Sequence, residues 1–234
     1  MTFHDTISQN ISRIQQRILA ACQRSGRSPS EVQLIAVTKY AEVEWAQALI
    51  NLDHRDFGES RPQQLSERST KLSDNIRWHM IGHLQRNKVR PVLETGAMIH
   101  SVDSQRLLDR IELIAAELGI TVSIFMEVNI SGEESKYGFA PESVSQSVTR
   151  MSDYRHVKLL GLMTMAPHAD DPEDARPYFR ALRDLQQQMN QGLPAENQMQ
   201  SLSMGMSGDF EVAIEEGATH IRIGSTLFEG LSSD

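Results

Sequence analysis

A single-domain TIM-type (β/α)8 barrel with an extra N-terminal helix is the fold this sequence predicts. Short apolar runs alternate with helical patterns along the chain, the runs read as strands buried on both faces, and about eight such units fit into 234 residues. A doubly wound open sheet shares the alternation. Both architectures place ligands at the C-terminal ends of the strands, so those ends carry the functional reading.

The first element is a helix. Ile7, Ile11, Ile14, Ile18 and Cys22 recur at helical spacing until the breakers between Gly26 and Pro29 end the pattern. Strands are expected at 32–37, 55–57, 76–81, 98–102, 122–128, 157–163, 201–204 and 220–223, with helical segments between them. The clearest of these helices is 104–118, which lines up Leu107, Leu108, Ile111, Ile114 and Leu118, with Asp103 and Ser104 expected to cap it. No Pro/Gly/Ser linker is long enough to divide the chain, so 1–234 reads as one domain.

Net charge is −8, which argues against non-specific binding to nucleic acid or an anionic membrane, since both want a basic face. An anionic ligand would need a local site built from backbone N–H groups and a few placed cations. Cys22 is the only cysteine, so no intrachain disulfide can form. With no signal-peptide pattern and no apolar run long enough to span a bilayer, a cytoplasmic protein is expected.

The first strand, "QLIAVTKY", is apolar from Leu34 to Val37 and then delivers Lys39, an unwelcome group at the end of a buried strand. A low-dielectric pocket would disfavour its charged form and make the amine a better nucleophile. Near the other end of the chain, "RIGSTLFEG" runs from a strand through Gly224 into Ser225 and Thr226, followed by a short helical pattern. That combination can seat a phosphate. "SMGMSGD" adds the Ser203 and Ser207 hydroxyls on the adjacent strand end. A tight turn with an N-cap explains the same residues, and a snorkelling lysine would explain Lys39 taken alone. Barrel closure would set Lys39 against the seat, however, and lysine plus phosphate seat suggests pyridoxal 5′-phosphate (PLP) held as a Schiff base. Arg222 would then meet the pyridine nitrogen.

"AVTK", "FGE", "WHMIGHLQRNK", "HSVD", "NISGEESKYGF", "GLMTM", "SMGMSGDFEVAI" and "IRIGSTLFEG" occur in one order across nearly the whole chain. In these motifs the sequence resembles the PLP homeostasis proteins, also called the proline synthetase co-transcribed family. The resemblance implies a barrel of the alanine racemase N-terminal-domain type, with PLP on Lys39. It implies phosphate contacts from Ser203, Gly224 and Ser225, and Arg222 facing the ring. Ser207, Met206 and Asn129 complete the expected cofactor-binding set. Two departures stand out: Ser60 replaces the Asn that usually follows "FGE", and Ser225 replaces a Thr while keeping the hydroxyl.

Other residues take plainer readings. His79 and His83 are expected to be hydrogen-bonded structural histidines rather than acid–base groups, and the remaining histidines look scattered, without metal-ligand spacing. Met163, Met165, Met204 and Met206 should fill the barrel and the pocket wall. Glu133 and Glu134 read as solvated. Lys136 reads as a loop charge, with a second cofactor-handling amine as its alternative.

The family resemblance implies a carrier or regulator of vitamin B6 and amino-acid balance without robust turnover, because the barrel leaves no segment for the opposing catalytic group that alanine racemase uses. PLP-requiring apo-enzymes are the expected recipients, and a monomer or weak homodimer is the expected state. A PLP-dependent racemase or lyase, and a Schiff-base aldolase that uses no PLP, are the alternatives.

Overall fold

The computed structural model describes residues 2–72 and 75–231. Eight parallel strands close on themselves in chain order. They are β1 (Gln33–Val37), β2 (Asp56–Glu59), β3 (Arg77–Met80), β4 (Met98–Val102), β5 (Val122–Glu127), β6 (Val157–Met163), β7 (Ser201–Met206) and β8 (His220–Ile223). Closure is made by β1 against β8, with Gln33 opposite His220 and Ala36 opposite Ile223. The closed ladder excludes the open sheet and sets the two chemically suggestive strand ends side by side.

Eight helices cover the barrel. The first, α1 (Phe3–Ser25), precedes β1; α2 (Val43–Asn51), α3 (Pro62–Lys71), α4 (Val89–Leu93), α5 (Gln105–Leu118), α6 (Pro141–Thr149), α7 (Arg176–Asn190) and α8 (Phe210–Glu215) each follow a strand. A capping box starts α1: the Thr2 hydroxyl accepts from the Asp5 N–H, and the Asp5 carboxylate accepts from the Thr2 N–H. Gly26 ends it in the left-handed region at φ 69°, where a residue without Cβ fits best. Ile7, Ile11, Ile14, Ile18 and Cys22 are all buried, on a helix packed against α8 and α2. Asn10 anchors this helix by donating from Nδ2 to the carbonyls of Leu227 and Glu229, each at 3.0 Å.

The expected cap of α5 differs in detail. Ser104 holds the N-cap position, but its hydroxyl makes no cap bond. The Asp103 carboxylate instead meets His83 Nδ1 at 2.9 Å, drawn there by a partner that can carry positive charge.

The barrel interior also departs from the plain apolar filling the strands suggested. His79, His100, Ser203, His220 and Arg222 are all buried within it, and no backbone ladder uses their side chains. Their spacing along the chain hid a cluster that only closure assembles. Each is tolerated because it finds a polar partner: His79 meets Asp56 and His100, His100 meets Ser203, His220 meets Thr219, and Arg222 meets Ser203.

Backbone approach is closest at Gly161 in β6. A Cβ there would lie 1.7 Å from the Ser201 carbonyl oxygen of β7, a contact that flexible side chains cannot relieve. We predict that Gly161→Ala destabilises the barrel by at least ~2 kcal/mol, since overpacking against backbone forces the strands apart. Urea unfolding would show it as a lower midpoint, and an unchanged midpoint would contradict the packing described.

Candidate functional site

A cavity of about 610 Å³ opens at the C-terminal ends of the strands, within the range of small-ligand pockets. Its wall brings together Lys39, Ser60, Met206, Ser207, Arg222, Gly224 and Ser225, which lie as much as 186 positions apart in sequence (225 − 39). Tyr40, Trp45, Met165 and Phe228 supply apolar surface around them.

Lys39 stands just beyond β1 rather than in it. The β1 ladder ends at Val37, and the chain then turns, with the Ala41 N–H donating to the Thr38 carbonyl at 2.9 Å. Lys39 is therefore exposed on the rim, its ammonium 5.0 Å from the centre of the Tyr40 ring. The expected low-dielectric burial of the amine is not found.

The turn itself is held from below. Buried Thr38 donates to Glu59 Oε1 at 2.6 Å, Arg68 Nη1 lies 3.1 Å from the same oxygen, and Arg68 Nη2 donates to the Ala41 carbonyl at 2.5 Å. Glu59 is fully buried at the end of β2, and burial pushes its carboxyl pKa up against the opposing pull of Thr38 and Arg68. The "FGE" motif thus acts under Lys39, as a clamp on the segment that presents it.

Opposite the lysine, Gly224 follows β8, and a Cβ there would lie 3.4 Å from Val37 Cβ, in ordinary contact with the end of β1. Its N–H donates to Ser207 Oγ at 3.2 Å. The segment beyond is a run of turns rather than the expected short helix, with the Leu227 N–H donating to the Gly224 carbonyl at 3.0 Å. Among the described residues, the N–H groups of Ser225 and Thr226 have no backbone acceptor. Free N–H groups beside two serine hydroxyls still suit an anion.

Arg222 forms the floor. It is 4% exposed, donates from Nη1 to Ser203 Oγ at 2.7 Å and from Nη2 to the Thr164 carbonyl at 2.9 Å. No carboxylate lies within ion-pair distance among the described residues. Burial pulls its pKa down to about 10, against the opposing charges of Asp209 and Glu127. Guanidinium carries five N–H donors, so the two hydrogen bonds leave donors for a ligand acceptor.

Two expected contacts are not at the cavity. Ser203 is fully buried beneath it, its hydroxyl taken up by Arg222 and His100. Asn129 ties its own loop, donating to the Glu133 carbonyl at 2.8 Å and accepting from the Ser131 hydroxyl and the Gly132 N–H, each at 3.1 Å. In the same loop Lys136 Nζ lies 2.7 Å from Glu133, so that glutamate is paired rather than simply solvated. Met163 and Met204 are buried, while Met165 and Met206 form the cavity wall.

Glu127, at the end of β5, went unread in the sequence, although a carboxylate closing an apolar strand is a signal. Burial pushes its pKa up to about 7, with the Asp103 charge adding and Arg222 opposing.

Closed eight-stranded topology with a lysine, a Gly–Ser turn and a buried arginine at the strand ends defines a barrel of the alanine racemase N-terminal-domain class, and the family model of that description matches residues 5–232. The chain belongs, more narrowly, to the pyridoxal phosphate homeostasis protein family. It is 41% identical over 225 residues to the pyridoxal phosphate homeostasis protein of Aquifex aeolicus, covering 94% of this chain and 96% of that one. Among solved structures, an unknown protein from Bifidobacterium adolescentis superimposes with a TM-score of 0.90 at 34% identity, covering 96% of this chain and 95% of that one. PipY of Synechococcus elongatus with PLP bound gives a TM-score of 0.79 at 33% identity, covering 92% of this chain and 99% of that one.

Glu127 yields a pH prediction. A carboxyl raised from 4.5 to about 7 in the folded chain binds a proton that the unfolded chain has released. Its contribution is intact below about pH 4.5 and is lost as pH climbs through 7, by ~3 kcal/mol in all. Glu127→Gln should therefore be more stable than the parent at pH 8, with the gap closing toward pH 5. Thermal melts across that range test this, and a gap independent of pH would contradict the assignment.

Proposed function

We propose that this chain binds PLP in the cavity at the strand ends and serves PLP homeostasis rather than robust catalysis. The observation that carries the reading is the meeting, on one cavity wall, of Lys39, the Gly224–Ser225 turn and the carboxylate-free guanidinium of Arg222. The residues present fit the group. Lys39 supplies an amine, the N–H groups of Ser225 and Thr226 with the Ser207 and Ser225 hydroxyls suit the phosphate, and Arg222 offers N–H donors to an unprotonated pyridine nitrogen. The names and the PLP-bound structure of its relatives support the same reading.

PLP, when bound, supplies an electrophilic aldehyde and an electron sink. Lys39 would be the residue that holds that aldehyde, reversibly, through its side-chain nitrogen. The clamp from Glu59 and Arg68 holds the turn that presents the amine, and its open position on the rim suits a lysine that must release its cargo as well as capture it.

Arg222 restrains the chemistry. A guanidinium has only donors and a permanent charge, so it favours the unprotonated pyridine nitrogen and weakens the electron sink. Relatives named as homeostasis proteins rather than enzymes accord with this restraint. PLP-requiring apo-enzymes are the natural recipients of the cargo, in a cytoplasmic protein that acts as a monomer or weak homodimer. Lys136, paired with Glu133, remains outside the cavity wall and takes no part in the resting linkage.

Borohydride reduction of the PLP-loaded protein followed by peptide mass spectrometry should place the pyridoxyl group on Lys39. A label principally on Lys136 or Lys88 would refute the assignment. Pyridoxal without its phosphate should bind at least about tenfold more weakly, because charge-assisted hydrogen bonds of roughly 1.5–3 kcal/mol each are lost. Incubation with a panel of L- and D-amino acids should give no sustained turnover, and multiple turnovers on any of them would overturn the carrier reading.

A further inference from the structure

Beneath the cavity, a line of buried side chains joins Arg222 to the opposite part of the barrel. Arg222 Nη1 lies 2.7 Å from Ser203 Oγ, Ser203 Oγ 2.8 Å from His100 Nδ1, and His100 Nε2 2.9 Å from His79 Nδ1. His79 Nε2 lies 3.2 Å from Asp56 Oδ1. The line crosses from β8 through β7, β4 and β3 to the first residue of β2.

Its proton positions follow from its two ends. Arg222 can only donate, and an ionised Asp56 can only accept. Burial works against the Asp56 charge, but His79 and Arg77 hold its carboxyl well below the usual range, with Arg77 Nε at 2.7 Å and Nη2 at 2.5 Å. A neutral His79 then donates from Nε2 and accepts at Nδ1. His100 must donate from Nε2 to that nitrogen and accept at Nδ1, so Ser203 donates to His100 and accepts from Arg222. Burial also favours neutral His100, and the Arg222 charge opposes its protonation. Phe125 stacks on the His100 ring at 4.4 Å between centroids, and His220 stands edge-on at 5.8 Å.

We propose that Asp56, His79, His100 and Ser203 form a one-direction hydrogen-bond relay that positions Arg222 toward the cavity, with Asp56 setting the direction of every proton in it. These are positioning residues, since none of them lines the cavity at the Lys39 end. Loss of a proton from Arg222 is too unfavourable for conduction, so the relay is a fixed, polarised strut. Nη1 is held by Ser203 and Nη2 by the Thr164 carbonyl, which leaves the donors not used in these two bonds for the cavity. The importance of this for the cofactor rests on the proposed PLP reading, whereas the relay itself does not.

The tautomers test the relay without any cofactor. In ¹⁵N NMR spectra of the unliganded protein at pH 7.5, His79 and His100 should both be neutral with the proton on Nε2. Asp56→Ala removes the acceptor at His79 Nε2, so an Nδ1–H population should appear in both rings. Ser203→Ala cuts the relay at the other end and should leave both rings as Nε2–H, because direction is imposed by Asp56; this variant keeps the test decisive should Asp56→Ala not fold. A protonated or Nδ1–H ring in the parent, a switch in Ser203→Ala, or unchanged Nε2–H rings in folded Asp56→Ala would overturn the proposal.

The second arm uses PLP. Ser203→Ala should bind PLP about fivefold more weakly, the effect of losing one hydrogen bond behind Arg222. Ser203→Thr, which keeps the hydroxyl, should restore it. Affinity unchanged in Ser203→Ala would refute the positioning role even if the tautomers are as stated. Failure of parent protein to bind PLP would instead remove the PLP reading and leave the tautomer result standing.

Discussion

A permanent cation buried inside a barrel is the constraint around which this structure is arranged. Arg222 cannot discharge itself by losing a proton, and an unsolvated charge in an apolar interior is among the most expensive arrangements a protein can contain. No carboxylate pairs with it directly. Its partners are instead a hydroxyl and a carbonyl, with Glu127 and Asp209 acting at longer range. The hydroxyl and carbonyl set against the guanidinium and the donors left over at the cavity floor follow from that choice.

The rim answers to different physics. Lys39 is exposed and mobile in principle at its tip, yet its backbone is held by Thr38, Glu59 and Arg68, all buried. A rigid base with a free side chain suits reversible capture. The floor, by contrast, is rigid in its side chain as well, because Arg222 is bonded on two sides. The cavity thus pairs an exposed amine with a guanidinium fixed on two sides.

The strand–helix alternation carried most of the fold in plain view, because parallel barrel strands are short apolar runs and their helices keep a 3.6-residue period. All eight strands fall where their apolar runs place them, to within two residues at most ends. Lys39, Gly224, Ser225, Ser207, Met206 and Arg222 were legible as well, since strand ends in this architecture converge. Ser203 and Asn129 were not, for opposite reasons. Ser203 sits one pleat too deep to reach the cavity, which strand membership alone cannot reveal, and the Asn129 amide is claimed by its own loop. His100 and Asp56 were invisible for a third reason: their partners lie on other strands, and no local pattern marks a residue whose role appears only on closure.

Asn10 ties the first helix to carbonyls 217 and 219 positions later, just beyond the Gly224–Ser225 turn of the cavity wall. On the ribosome this orders assembly. The helix emerges early, with an apolar stripe and an Asn10 Nδ2 whose carbonyl partners come only with the turns after β8. Until then it can pack on α2 but not on α8, and the seam between β1 and β8 stays open. Contacts of such sequence separation are slow to form, and until β8 and its turn have been made the cavity lacks the wall that Arg222, Gly224 and Ser225 supply. A chain cut short before β8 would have no such wall.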